Sequence, residues 1–277
     1  MKTISSLKQD MEFNRSLASL IEVLKNIAVS RYRALEQKIK IYKDFILTIE
    51  DFFTLLDTNR IEHPFLKPIS DNQLVLAVTS DSGLLGGLNM QVINLALLEL
   101  EKNKGKLVVI GEKGKYYAQD FGMVFTFFKG IQEDNCFAQA AQMRDYLLKI
   151  FLEEKIGYLK IIYPRPVSFT VQSIEIEKTL PFYVSGSHTF TQDVIFESFL
   201  ARIVEYLVYL YLGQKLYEIF SLSKLAEYAA RFVHLEESAQ KLKEQDLKLK
   251  LNYFKLRHEL VDQNMRELFS ARILYQD

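Results

Sequence analysis

The sequence predicts an α/β protein: an antiparallel coiled coil of long N- and C-terminal helices with a central Rossmann-like α/β domain. Three observations lead there. All five prolines and all eleven glycines fall between Pro64 and Gly213, so both flanks are free of helix breakers. Both flanks repeat apolar residues every seven positions. The middle alternates strand-like apolar runs with helical stretches. The resulting boundaries are an N-terminal coiled-coil helix over 1–63, a central α/β domain over 64–190 and a C-terminal coiled-coil helix over 191–277.

In the first flank, Ile21, Ala28, Leu35, Tyr42, Ile49 and Leu56 form one seven-residue series. A companion seam runs through Leu17 and Leu24, then shifts to Tyr32, Ile39, Ile46 and Phe53. From Met11 to Asp57 this predicts a rod of roughly 70 Å at 1.5 Å per residue. The second flank carries Leu235, Leu242, Leu249 and Leu256, with Ala239, Tyr253 and Leu260 beside them and Asp246 as a polar exception. Each stripe is narrow and needs a partner helix. Two such stripes at opposite ends of one chain pair most simply with each other, although two separate amphipathic helices packed on the central domain would show the same periodicity.

Between the flanks, Gln73–Thr79 and Leu107–Ile110 are continuous apolar runs of buried-strand type. Met123–Phe128, Tyr158–Tyr163 and Ser168–Lys178 are predicted as further strands, with helices near Leu88–Leu100 and Glu133–Leu152. Strands alternating with helices imply a mostly parallel sheet.

Composition narrows the function. The 277 residues carry 35 Lys and Arg against 35 Asp and Glu, so no net charge draws the chain to nucleic acid. A single cysteine, Cys136, excludes an internal disulfide framework. The most apolar stretch, Val194–Leu212, contains Glu197, Arg202 and Glu205, which argues for a buried helix over a membrane span. The first 20 residues lack the apolar core of a secretory signal.

Motif chemistry is sparse. Ser80–Asn89 lies between a strand and a helix, where a phosphate cradle would sit, but its spacing is G-x-x-G-G and no Lys-Ser/Thr follows. Gly111–Lys115 also lacks the phosphate-binding spacing, so both read as strand-to-helix turns. Ser82 is no nucleophile elbow, because position 80 is serine where glycine is required. The histidines at 63, 188, 234 and 258 form no metal-ligand pair. No catalytic residue, cofactor site or metal site is assigned. Two basic stretches stand out, Arg31–Lys43 and Lys241–Arg257, and antiparallel pairing of the flanks could bring them together as a basic collar facing an acidic partner.

Three segments, taken together, carry a resemblance. Ala226–Phe232 reads AEYAARF and is similar to a family pattern S-E-x-x-A-R-M, followed by Leu249-x-x-x-Tyr253-x-x-x-Arg257 and by Glu267–Ala271, similar to E-I-x-x-G-A. Thr79–Asn89 reads TSDSGLLGGLN against T-S-D-R-G-L-C-G-G-L-N, with Gly111-x-Lys113-Gly114 downstream. Ile27–Arg33 resembles V-A-A-S-K-x-R. In this order and spacing, over nearly the whole chain, they resemble the gamma subunits of F-type ATP synthases.

The resemblance implies a central rotor shaft, itself noncatalytic, that couples ATP hydrolysis or synthesis in a ring of three alpha and three beta subunits to rotation. It implies ring contacts at Arg31, Arg33, Glu227, Arg231, Arg257, His258 and Asp262. It implies a conserved central turn at Asp81, Gly83, Gly86, Gly87 and Asn89. An epsilon-type subunit and a membrane rotor, or an equivalent adaptor, would engage the central domain, with the chain peripheral on the cytoplasmic side of the membrane. Departures are concentrated at the shaft: Glu22 for a usual Lys, His234-Leu235 for A-M, His258 for Gln, Asp262 for Thr and Asn264 for an acid. Ser82 and Leu85 replace the central Arg and Cys. They mark a divergent member and leave room for a stalk of a specialised F1-like ATPase without proton coupling, such as a motility motor. A ligand-binding α/β enzyme using Asp81, Ser82 and Lys113, or an unrelated coiled-coil scaffold, are the rivals from other classes. A shaft also needs stiffness and a polar, non-adhesive surface.

Overall fold

The computed structural model describes residues 3–39, 43–54, 56, 61–183 and 199–274. The helices are α1 (Ile4–Ile39), α2 (Lys43–Thr54), α3 (Leu88–Lys102), α4 (Glu112–Asp120), α5 (Cys136–Glu153) and α6 (Leu200–Leu274). The strands are β1 (Gln73–Val78), β2 (Gly105–Ile110), β3 (Phe125–Phe128), β4 (Tyr158–Pro166) and β5 (Gln172–Leu180). Every strand and helix expected from the central sequence is present within a few residues. His188, Tyr42 and the 190/191 boundary lie outside the described residues.

The strands form one sheet in the order β3-β2-β1-β4-β5. β1 pairs in parallel with β2 and β4, β2 with β3, and β5 closes the sheet antiparallel to β4. β1 is buried along its whole length, as its uninterrupted apolar run requires of a central strand. Alternation sends Leu74, Leu76 and Val78 to one face, where they join Ile49 and Phe53 of α2, Leu147 and Phe151 of α5, and Val208 and Leu216 of α6. Val75 and Ala77 join Val92, Ile93 and Ala96 of α3 and Ala118 of α4 on the other face.

The chain divides into two compact units. One holds residues 1–28 and 232–277, the other residues 29–231. In the first, Ile21 packs with Leu235 and Leu242, flanked by Leu17, Leu24 and Ala239. Lys25 Nζ meets Glu236 at 2.5 Å and Glu22 at 3.1 Å. Asp10, Phe13 and Asn14 lie beside Gln245, Lys248, Leu249 and Asn252. Low numbers on α1 therefore meet high numbers on α6, which is the antiparallel pairing read from the heptads. In the second unit, Tyr32 and Leu35 pack with Leu225 and Ala229.

Two expectations change. The first flank was expected as a single rod from Met11 to Asp57; α1 and α2 cover most of it, 40–42 lies outside the described residues, and what changes is the surface the flank buries against. Ile46, Ile49, Phe53 and Leu56 keep the seven-residue spacing but bury against the sheet core, not along a coiled-coil seam. The collar required Arg31–Lys43 to pair with Lys241–Arg257; the register instead sets 10–24 against 235–252.

Candidate functional site

The turn after β1 is built from its own polar side chains. Asp81 Oδ1 accepts the backbone N–H groups of Glu112 and Gly130, each at 2.9 Å, so one carboxylate ties together the segments following β1, β2 and β3. Thr79 Oγ1 donates to Ile110 O at 2.5 Å and accepts Gly114 N–H at 3.0 Å. Asn89 Oδ1 accepts Ser80 N–H at 3.1 Å, and its Nδ2 donates to Ser80 Oγ at 2.9 Å. Gly111 has φ of 101°, and a Cβ there would lie 2.5 Å from Thr79 O; a Cβ at Gly130 would lie 2.5 Å from the Asp81 carboxylate. Gly86 has φ of 59°, and Gly87 is the N-cap of α3. The nearest atom to a Cβ at Gly83 is Lys113 Cε at 3.8 Å, ordinary contact. Asp81 and Asn89 thus bond the turn and Gly86 meets its positive φ, while packing makes no such demand of Gly83 or Gly87.

In a doubly wound sheet the ligand crevice lies at the carboxyl ends of the strands where the order reverses, here between β1 and β4. α6 fills it. Thr79, Ser80, Leu88 and Pro164 line the remaining space with Ser223, Lys224 and Glu227, and its volume is about 10 Å³. That is room for about one water, far below the several hundred Å³ of a typical small-molecule pocket. Asp81 is engaged by backbone amides, Ser82 by α6, and Lys113 Nζ lies 5.9 Å from the Tyr116 ring centroid. The three residues of the enzyme rival do not converge on a cavity.

Glu227, expected at a partner surface, is 6% exposed within its own unit. Its Oε1 accepts Ser82 Oγ–H at 2.9 Å and Arg231 Nη2 at 2.7 Å, and Oε2 accepts Lys224 Nζ at 2.8 Å. Burial opposes ionisation of this carboxyl, but Lys224 and Arg231 outweigh it and hold the pKa below its ordinary value. The spacings Lys224-x-x-Glu227 and Glu227-x-x-x-Arg231 were a visible signal for intrahelical pairing; that the face they define is covered by the Ser82 turn was not.

Of the other proposed contacts, Arg231 is largely covered, its side chain 17% exposed, and the rest are exposed. Arg31 Nη1 lies 3.7 Å from Glu133 Oε2, which also accepts Tyr228 Oη–H at 2.8 Å. Arg33, Arg257, His258 and Asp262 are exposed on α1 and α6. Arg31, Arg33, Glu227 and Arg231 fall in one unit and Arg257, His258 and Asp262 in the other. The helix pair is also less polar outside than a non-adhesive shaft would be: Phe13, Leu20, Val23, Leu251, Phe254, Met265, Leu268 and Phe269 are exposed. One seam can bury only one stripe of each helix, and from 257 to 270 every residue of α6 is exposed, so no seam covers Met265, Leu268 or Phe269.

Among the described residues, no group of three His, Cys, Asp or Glu side chains could hold a metal, and no helix is long and apolar enough to cross a membrane. Cys136 is buried beside Ser221, and burial pushes its thiol up to about 11.

A family model described as ATP synthase matches residues 3–272. The chain is 26% identical to the ATP synthase gamma chain of Clostridium pasteurianum over 205 residues, 73% of each chain. It is 22% identical to that of Bdellovibrio bacteriovorus over 289 aligned positions, 98% of each. Among solved structures, a chain of the Euglena gracilis mitochondrial ATP synthase rotor superposes with a TM-score of 0.70 at 18% identity, covering 93% of this chain and 98% of that one. A chain from the OSCP, F1 and c-ring assembly of the same enzyme gives 0.74 at 18% identity, covering 97% and 93%.

Proposed function

The chain belongs to the ATP synthase family, and on that premise we propose that it is a gamma-type central stalk. It couples ATP hydrolysis or synthesis in a ring of alpha and beta subunits to rotation, and is itself noncatalytic. The family match along residues 3–272 carries this reading. One further feature supports it: α6 closes the crevice that an α/β enzyme would keep open. In this reading the partners bind MgATP, and rotation of the stalk biases which conformation each adopts. Arg31, Arg33, Arg257, His258 and Asp262 are the proposed ring contacts. An epsilon-type subunit and a membrane rotor, or an equivalent adaptor, are the proposed partners of the α/β domain, with the chain peripheral on the cytoplasmic side of the membrane.

A second reading keeps the stalk but places it in a dedicated F1-like ATPase without proton coupling. It is favoured by Glu22, which sits exposed in an ion-paired cluster with Lys25 and Glu236, and by the exposed His258 and Asn264, all departures from the family pattern. Affinity purification of the native assembly with mass spectrometry separates the two. Alpha- and beta-type subunits with a proteolipid ring support the synthase; the same subunits with other large proteins support the dedicated motor. A preparation lacking alpha- and beta-type subunits refutes both.

A further inference from the structure

The hydrogen bonds at the β1/β4 crevice form a closed cycle. Ser82 Oγ donates to Glu227 Oε1 at 2.9 Å and accepts from Arg231 Nη2 at 2.6 Å, while the same Nη2 reaches Glu227 Oε1 at 2.7 Å. Lys224 Nζ occupies the other carboxylate oxygen. Each of the three cycle members is bonded to the other two, and two of them are charged, which shortens and strengthens such bonds; Glu227 is buried, while Ser82 lies at the surface. The loop side of the cycle is itself anchored. Asp81, adjacent to Ser82, is bonded to Glu112 N and Gly130 N, and Ser80 Oγ donates to Ser82 O at 2.8 Å. A twist applied to α6 at Glu227 therefore reaches the ends of β1, β2 and β3 through short bonds, beside the apolar packing of Leu216, Ile219 and Phe220 in the core.

From this geometry we infer that Ser82, Glu227 and Arg231 are positioning residues that lock the 200–231 stretch of α6 against turning on the sheet, and that this internal lock, not a partner surface, is the role of Glu227. Its consequence for torque rests on the stalk reading; its existence does not.

Two measurements keep those apart. In the isolated full-length chain, Ser82→Ala leaves the Glu227 pairs within α6 and cuts only the bridge to the loop. Amide hydrogen exchange in 80–89 and 223–231 is expected to rise at least tenfold, and in both segments together. Glu227→Gln, which removes the charge at the centre of the cycle, is expected to do the same. Rates equal to those of the native chain in both variants overturn the lock. In the assembled complex, a bead is attached through a cysteine introduced at Val124, which is 92% exposed, the native Cys136 being buried. During ATP-driven rotation the angular spread of the dwells is expected to widen in Ser82→Ala. A native chain that rotates, with an unchanged spread in the variant, overturns the lock. A native chain that turns no ring overturns the stalk reading, and the exchange result then decides the lock alone.

Discussion

The two units of this chain handle their apolar residues in opposite ways. In residues 29–231 a central sheet takes helices on both faces, and side chains from α2, α5 and α6 merge with β1, β2 and β4 into one continuous core. In residues 1–28 and 232–277 the buried apolar set described is Leu7, Ile21, Ala28, Leu235 and Leu242 with their half-buried neighbours, while large apolar side chains stay in solvent. A sheet offers two faces to bury and a helix pair offers one seam. On the stalk reading, what the pair leaves uncovered is surface available to a partner outside the chain.

The largest test of that contrast is Phe53→Ala. Phe53 is fully buried and stacks on Phe182 with ring centroids 4.1 Å apart, so its loss is expected to destabilise the α/β unit by about 3–5 kcal/mol in chemical denaturation. Leu268→Ala, at a residue 67% exposed, is expected to change stability by less than about 0.5 kcal/mol. Comparable losses would mean that the helix pair has a core of its own beyond the seam.

Leu235→Ala comes next, with an expected cost of about 2–3 kcal/mol, because Leu235 is 2% exposed in a thin seam. Hydrogen exchange should show the loss confined to 1–28 and 232–277; equal deprotection of β1 would show that the two units unfold as one.

The pH response sharpens the contrast from the electrostatic side. Glu227 has a lowered pKa when folded, with burial opposing and Lys224 and Arg231 prevailing. It therefore contributes stability that is fully present above its unfolded value, near 4.5, and lost as pH falls through the lower folded value. Denaturation of the α/β unit followed from pH 7 to pH 3 should show that loss, and Glu227→Gln should flatten it. The same slope in the variant would assign the acid sensitivity to other carboxylates.

A modest effect of the opposite sign is expected at Asn14, which falls in the seven-residue series of Leu7, Ile21 and Ala28 and is buried in it. A polar residue in a seam fixes register at a cost in stability, so Asn14→Leu should stabilise the helix pair by about 1 kcal/mol. Cysteine cross-linking at shifted positions of α1 and α6 should become measurable in the variant; a destabilised pair with fixed register would show that Asn14 has a polar partner.

Much of this was legible in the sequence. The β1 run had no polar break because both its faces are covered, and α6 could be long because only Gly213 interrupts its composition. The change of partner along the first flank was hidden because Ile49 and Leu56 preserve the heptad count while the surface they bury against changes from a helix to a sheet. For the turn at Thr79–Asn89, residue types revealed a tight strand-to-helix connection. The burial of Glu227 was hidden for a related reason: periodicity says which residues share a face, but not what covers it.

α6 runs 75 residues without a break, and each residue of an α-helix advances the side-chain direction by about 100°. One codon gained or lost within it would swing every later side chain away from the seam, whereas seven would return them to within about 20°. Length in this helix is thus quantised: sequence can drift freely along it while the reading distance between Glu227 and the apolar residues near its end stays fixed, so gaps among relatives should collect in the loops and avoid α6.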